Sequence, residues 1–308
     1  MTEIGIHGSR PPAKQLAGRK GRAYRTKHVS PLPSSVSPLT FLPILTFHFS
    51  LFTPTIPLRT FPFSLFTSYL FTVSTMRIAF ISDIHSNLQA LTKTFEIIDQ
   101  SGVDEVYCLG DIVGYGANPN ECLSLVRQRA TKVVLGNHDL ASVDTSEAKY
   151  FTKHGRIAAE WTHGVLTGEN TQFISNLPYR LELPRLTLVH ANPAAPEQWG
   201  YVVTLEDAEP QFEHFRTELC FIGHSHIPFM CGEDLKSFDL TKDVRFLVNV
   251  GSVGQPRDGN PHLSFGLLDT EAWSYQNVRA EYDIKGAAQA ILDNNLPRFL
   301  ADRLFRGV

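Results

Sequence analysis

From residue 76 onward the chain alternates short apolar runs with stretches in which apolar residues recur at helical spacing. Arg77–Ser82 is an apolar run closed by Asp83, the pattern of a buried strand. Ser86 and Gln89 match a capping box, and Leu88, Leu91, Phe95 and Ile98 follow on one helical face. Val106–Leu109 predicts a second strand, ending at Gly110-Asp111. Asn118, Pro119 and Glu121 suit the cap, first and third positions of the next helix, with Leu123 and Val126 on its inner face. Lys132–Leu135 predicts a third strand, ending at Gly136-Asn137-His138-Asp139. Strand, helix, strand, helix, strand at this spacing predicts parallel βαβ units.

The pattern then changes. Residues 146–176, with Trp161 and Leu166, read as one or two helices and form a helical insert. Arg180–Leu183 and Leu186–His190 pair as a hairpin across Pro184-Arg185. Leu205–Phe215 reads as helical, and Leu219–Ile222 as a strand closed by Gly223-His224-Ser225-His226. Val244–Val250, Leu263–Asp269 and Trp273–Ala280 read as later strands, and a helix begins near Ile284. The expected fold is α/β: two packed mixed sheets flanked by helices, in one domain over 76–308.

Residues 1–75 differ in kind. They carry eight Lys/Arg against one acid, Glu3, and eight of the 21 phenylalanines. Prolines 31, 33, 38, 43, 54, 57 and 62 interrupt the apolar part. Its longest proline-free piece, Phe63–Thr75, is short of the roughly 20 residues a spanning helix needs. No membrane span is expected. The simplest reading starts the folded protein at Met76, with 1–75 a disordered or spurious low-complexity extension; a transit peptide is the second reading. The remainder holds 20 basic and 30 acidic residues. So acidic a body lacks the electrostatic footprint for broad nucleic-acid binding, although bound metal ions can supply positive charge for a small phosphate ester. Cys108, Cys122, Cys220 and Cys231 form no CxxC pair, and a domain of this size needs no disulfide, so reduced cysteines and a cytoplasmic location are expected.

The candidate chemistry lies at the strand ends. Asp83 and His85 follow the first strand, Asp111 the second, and Asn137 and His138 the third; His190 ends another, and His224 and His226 follow a further one. Ligand sites in open α/β sheets gather beyond the carboxyl ends of strands. Oxygen and imidazole donors suit a divalent first-row metal: manganese first, with iron, zinc or nickel as alternatives. Seven ligands exceed the need of one ion, and Asp111 is a carboxylate that can bridge two. Two such ions about 3.5–4 Å apart activate water and clamp phosphoryl oxygens during in-line displacement.

Asp83-x-His85, Gly110-Asp111, Gly136-Asn137-His138-Asp139, His190 and Gly223-His224-x-His226, in this order, resemble the calcineurin-like metallophosphoesterase superfamily. The compact size and Asn249-Val250-Gly251-Ser252-Val253-Gly254 are similar to its small bacterial and archaeal phosphodiesterases. The resemblance implies that Asp83, His85, Asp111 and His226 hold one metal, and that Asp111 bridges to a second held by Asn137, His190 and His224. It makes His138 the non-ligand catalytic histidine, with Asp139 orienting it. Protein phosphatases of the superfamily carry Asp-Arg-Gly after the second motif and Glu after Asn-His. Gly114-Tyr115-Gly116 and Asp139 stand here instead, which weakens that reading.

The expectation is therefore a two-metal hydrolase of a small phosphodiester. A protein phosphatase or nucleotide-polyphosphate hydrolase is the alternative, and a binding scaffold on the same fold is the non-enzymatic one. His138 argues against the scaffold, whose non-catalytic relatives lack it. Arg257 reads either as a bidentate phosphate contact or as a surface ion pair, and Asn87 as a phosphate contact or a helix cap. Trp161, Trp199 and Trp273 are expected in core or lid packing, and the helical insert is expected to narrow the entrance for small substrates. Oligomeric state has no signal in the sequence.

Overall fold

The computed structural model describes residues 75–308; all but the last residue of the extension read over 1–75 lies outside the described residues. Strand β1 (Arg77–Ile81) divides its side chains between two cores. Ile78 and Phe80 join one, Ala79 and Ile81 the other, the two-residue alternation of a pleated strand. With both faces buried, the run shows no polar alternation in the sequence.

Behind the first face, β1 pairs in parallel with β2 (Glu105–Cys108), and β2 with β3 (Lys132–Val133). Helices α1 (Leu88–Gln100) and α2 (Pro119–Arg129) are the crossovers, burying Leu91, Phe95, Ile98, Leu123 and Val126 against Ala79 and Ile81. The chain returns late to complete this sheet. β9 (Leu263–Asp269) pairs antiparallel with β1, and β10 (Ser274–Ala280) with β9, giving the order β10-β9-β1-β2-β3.

A second sheet has the order β4-β5-β6-β8-β7: β4 (Arg180–Glu182), β5 (Leu186–Val189), β6 (Leu219–Ile222), β7 (Phe229–Gly232) and β8 (Phe246–Asn249). Its strands also alternate. Leu219 and Phe221 face the first sheet, while Cys220 and Ile222 face Phe212 and Phe215 on the outside. Between the sheets the rings of Phe80 and Phe221 stack at 3.7 Å. The four layers are thus helix, sheet, sheet and helix, as the sequence pattern predicts. The four cysteines are free and buried, and no described helix is long and apolar enough to cross a membrane.

Helices α3 (Asn137–Val143), α4 (Lys153–Val165) and α5 (Gly168–Ser175) form the insert, with a 3-10 turn at Thr145–Tyr150. At the other end, α7 (Ile284–Asp293) and α8 (Arg298–Asp302) pack Ala287, Ile291, Leu300 and Leu304 into a cluster with Ala158 of α4.

Several local expectations are corrected. The cap of α1 is Asn87, not Ser86: Asn87 Oδ1 accepts from Ala90 N at 3.1 Å. The third strand keeps ladder pairing only over Lys132–Val133 before the chain turns toward α3. Leu205–Phe215 splits into α6 (Leu205–Ala208) and a 3-10 turn because Pro210 removes a donor. β7 carries no apolar alternation strong enough to be read, and it sits at the edge of its sheet.

Candidate metal centre

Loops at the carboxyl ends of β1, β2, β5 and β6 and the start of α3 bring the donors together. Asp83, His85 and His226 form one buried triad, and Asp111, His190 and His224 a second, each with its ligand atoms within 4.8 Å of one another. Asp111 Oδ2 lies 3.7 Å from His85 Nε2 and 3.3 Å from His190 Nε2, between the two groups. Asn137 is buried beside the second triad, and its Oδ1 has no hydrogen-bond partner.

The second atoms of these ligands are tied to the fold. His85 Nδ1 faces Val113 O at 3.1 Å, His190 Nδ1 faces Leu109 O at 2.8 Å, and His226 Nδ1 faces Gln255 O. Those contacts place the proton of the neutral rings on Nδ1 and turn each Nε2 inward. Asp83 Oδ2 accepts from Ser82 Oγ at 2.7 Å and from His224 N at 2.9 Å, and Asp111 Oδ1 accepts from His138 N at 2.8 Å. The other oxygens, Asp83 Oδ1 and Asp111 Oδ2, face the imidazoles. Asp83 Oδ1 is buried without a hydrogen bond. Paired imidazole nitrogens stand 3.1 Å apart at His85/His226 and 3.2 Å apart at His190/His224. Such crowding of unshared donors fits divalent cations.

Backbone conformation shows how much the fold gives up here. Asp83, His85, Asp111, His224 and His226 all have φ between 50° and 64°, a left-handed region that side chains other than glycine enter at a cost. Glycines packed against these loops allow the close approach. A Cβ on Gly136 would meet Asp111 N at 2.2 Å, and one on Gly223 would meet Ser82 Oγ at 2.0 Å.

Electrostatics separate the histidines. Burial holds His85, His224 and His226 below the usual imidazole value, His224 down to about 3. His190 is also disfavoured by burial, but the Asp111 and Asp83 carboxylates outweigh it and raise it to about 9. Among the candidate ligand imidazoles His190 alone is raised, so it is the one expected to shed a proton if a cation binds near neutral pH. The expected result is a divalent-cation affinity that rises about tenfold per pH unit toward pH 9, with release of one proton. Calorimetric titration in buffers of different ionisation enthalpy measures this, and a flat profile contradicts it. The sign for the metal-free fold is opposite: stabilisation from protonated His190 is complete below about 6.5 and lost as pH rises through about 9.

His138 belongs to neither triad. Its ring lies 4.2 Å from Phe151 and 4.3 Å from Tyr115, with Nδ1 buried and unpartnered. Burial, with Arg257 nearby, lowers it to about 4 against the pull of Asp111. Asp139 does not orient this ring, a correction to the sequence reading. As the third residue of α3 its carboxylate turns back to cap the helix, Oδ2 accepting from Gly136 N and Oδ1 from Val113 N, each at 3.1 Å. Burial and the Asp111 charge push Asp139 up to about 7.

Asn87 takes the capping role, the second of its two readings. Besides the bond to Ala90 N, its Nδ2 donates to Gly254 O at 2.8 Å and Tyr282 Oη at 3.2 Å, so its polar atoms are engaged in the fold and the substrate contact is corrected. Arg257 has no carboxylate partner among the described residues, against the surface ion-pair reading. Its Nη2 donates to Gln255 Oε1 at 3.1 Å, and its Nε is buried without a partner. Trp273 packs in one core, and Trp199 packs partly buried against the other while also lining a cleft. That cleft, about 530 Å³, opens beside Asn137 and His224 and is also walled by Tyr150, Phe151 and Tyr201. The Tyr201 ring stacks 4.2 Å from His224. Tyr201 escapes the sequence reading, and Tyr115 takes no role in it, because single tyrosines in loops carry no spacing signal.

A buried double-triad site at the strand ends of a two-sheet sandwich defines a class of metal-dependent hydrolases. Residues 76–272 match the model of the calcineurin-like phosphoesterase superfamily domain, and the chain belongs to that family. It is a metal-dependent phosphoric ester hydrolase. An uncharacterized protein of Methanocaldococcus jannaschii is 42% identical over 75% of this chain and 98% of its own length. Phosphodiesterase YfcE of Escherichia coli is 27% identical over 65% of this chain and 90% of its own length. Among solved structures, a metallophosphoesterase from Sphaerobacter thermophilus is 36% identical, with a TM-score of 0.68, covering 76% of this chain and all of that one.

Proposed function

We propose that the protein hydrolyses a small phosphodiester at a pair of divalent cations, manganese first among them. The observation that carries this reading is the placement of Asp111 Oδ2 between the two triads, with His138 held beside them by the Asp111–His138 N contact. Asp83, His85, Asp111 and His226 would hold one cation, and Asp111, Asn137, His190 and His224 the other. When bound, these cations supply water activation and positive charge for the phosphoryl oxygens.

The chain's own groups do the rest. His138 is neutral when the site is empty of substrate, and an arriving phosphoryl anion favours its charged form. It then has a proton to give to the departing ester oxygen. Arg257 adds a fixed charge on the same side, since its guanidinium acts on both His138 and His226. The aromatic cleft beside Asn137 and His224 offers an apolar berth for an ester group, which favours a diester over a bare phosphomonoester. Relatedness to a named phosphodiesterase supports the same choice. The acidic body speaks against extended nucleic acid as substrate, and four buried free thiols suit a cytoplasmic protein.

The test compares bis(4-nitrophenyl) phosphate with a phosphoserine peptide, each with added manganese. Turnover of the diester and not of the peptide is expected. The reverse order assigns a protein phosphatase, and turnover of neither removes the diester reading.

A further inference from the structure

The cleft beside the metal centre carries charge that the proposed chemistry does not use. Its floor includes Asn137 and His224, 8% and 6% exposed, whose Oδ1 and Nε2 atoms have no hydrogen-bond partner. An ester whose phosphate reaches a cation at those atoms has this space, about 530 Å³, for its organic group.

Two separate segments wall the cleft, and each brings the same two kinds of side chain. The 3-10 turn of the insert supplies Glu147 and Tyr150, followed by Phe151. The loop after β5 supplies Glu197, Trp199 and Tyr201. Among the described residues no lysine or arginine lines it. Neither Glu147 nor Glu197 has an ion-pair partner among the described residues, whereas Glu169, Glu182, Glu218 and Glu233 each hold an arginine. Lys149 is exposed and lies over the Tyr150 ring, 4.6 Å from its centroid, without pairing with Glu147 or lining the cleft.

Both walls are fixed by the fold, and their rings reach the reacting centre. Phe151 N donates to Ala148 O at 3.0 Å, and Ala148 is buried with Ala141 and Ala159. Opposite, Asn192 clamps the second wall, its Oδ1 accepting from Ala195 N at 2.9 Å and its Nδ2 donating to Gly200 O at 3.0 Å. Phe151 packs 4.2 Å from His138, and Tyr201 packs 4.2 Å from His224. Yet Tyr150 remains 76% exposed and Tyr201 57% exposed, so ring surface is left for a ligand. An anionic group gains nothing from such a lining, because two unpaired carboxylates repel it. A cation is drawn by both components, by the ring faces through their quadrupole and by the carboxylates through their charge.

We propose that this cleft takes a cationic organic group of the alkylammonium class, esterified to the phosphate that the metal centre holds. The inference rests on the phosphoesterase reading of the metal centre and narrows its substrate to phosphate esters of amino alcohols. Glu147 and Glu197 set the preference for positive charge, and neither is a candidate metal ligand.

Calorimetry on the full chain at fixed free manganese compares phosphocholine with 3,3-dimethylbutyl phosphate, which has the same shape without the charge. Phosphocholine is expected to bind about tenfold tighter, the combined effect of ring faces and exposed carboxylates. In the double variant Glu147→Gln, Glu197→Gln that ratio falls below about threefold, because only the ring faces remain. The two positions are partly or fully exposed and glutamine keeps their size, so the fold is not at stake. Equal affinities in the unaltered protein, absence of phosphocholine binding, or an undiminished ratio in the double variant would overturn the inference. Failure of the esterase reading is separate, because it shows in bis(4-nitrophenyl) phosphate turnover by the unaltered protein and not in this ratio.

Discussion

His138→Asn is expected to lower phosphoester turnover by about 10²–10⁴-fold, the usual contribution of a positioned acid, and to leave metal content unchanged. The separation is possible because the hydrogen bond of His138 to the candidate ligands runs through its backbone N–H to Asp111 Oδ1, while its ring packs edge-on at 5.0 Å from that of His85 without bonding to it. Asparagine keeps that N–H and occupies less space between Phe151 and Tyr115. It cannot carry a proton to a departing oxygen. Metal content by elemental analysis and kcat with a generic diester are the two measurements. An active variant removes the acid from His138, and a metal-depleted one shows that the ring supports the ligands.

Asp111→Asn is expected to be the more destructive change. The expected cost exceeds the about 10–100-fold typical of substitutions beyond the ligands themselves, and metal content is expected to fall. Asp111 uses both oxygens at once, Oδ1 toward His138 N and Oδ2 toward His85 and His190. An amide offers one oxygen, so its NH₂ must face either the His138 N–H or the imidazole lone pairs. The lost charge also releases His190, whose raised value depends on Asp111. A variant with two cations and ordinary turnover would place the bridge elsewhere.

Much of this centre is readable in the sequence because its chemistry follows strand ends. Asp83, Asp111, His190 and His224 each come directly or almost directly after an apolar run, and the sheet gathers those ends without detailed packing knowledge. Residues whose roles depend on where a side chain turns are not readable. Asp139 follows His138, yet helix geometry sends its carboxylate back to Gly136 N, the ordinary behaviour of an acid at that position. Asn87 is likewise drawn into a cap. The placing of Glu147 and Glu197 on one cleft could not be found from motif spacing, since they stand on separate segments that only the fold brings together. β7 is short and marginal, and its pairing with β8 is set by sheet context.

The ties from Asp83 to His224 N and from Asp111 to His138 N stitch loops of different strands together without the help of any ion. Demetallated protein should therefore keep its cradle assembled, and reconstitution becomes a matter of filling seats and not of refolding. Swapping one divalent ion for another in the same sample would then report the intrinsic preference of the seats, uncomplicated by chain rearrangement.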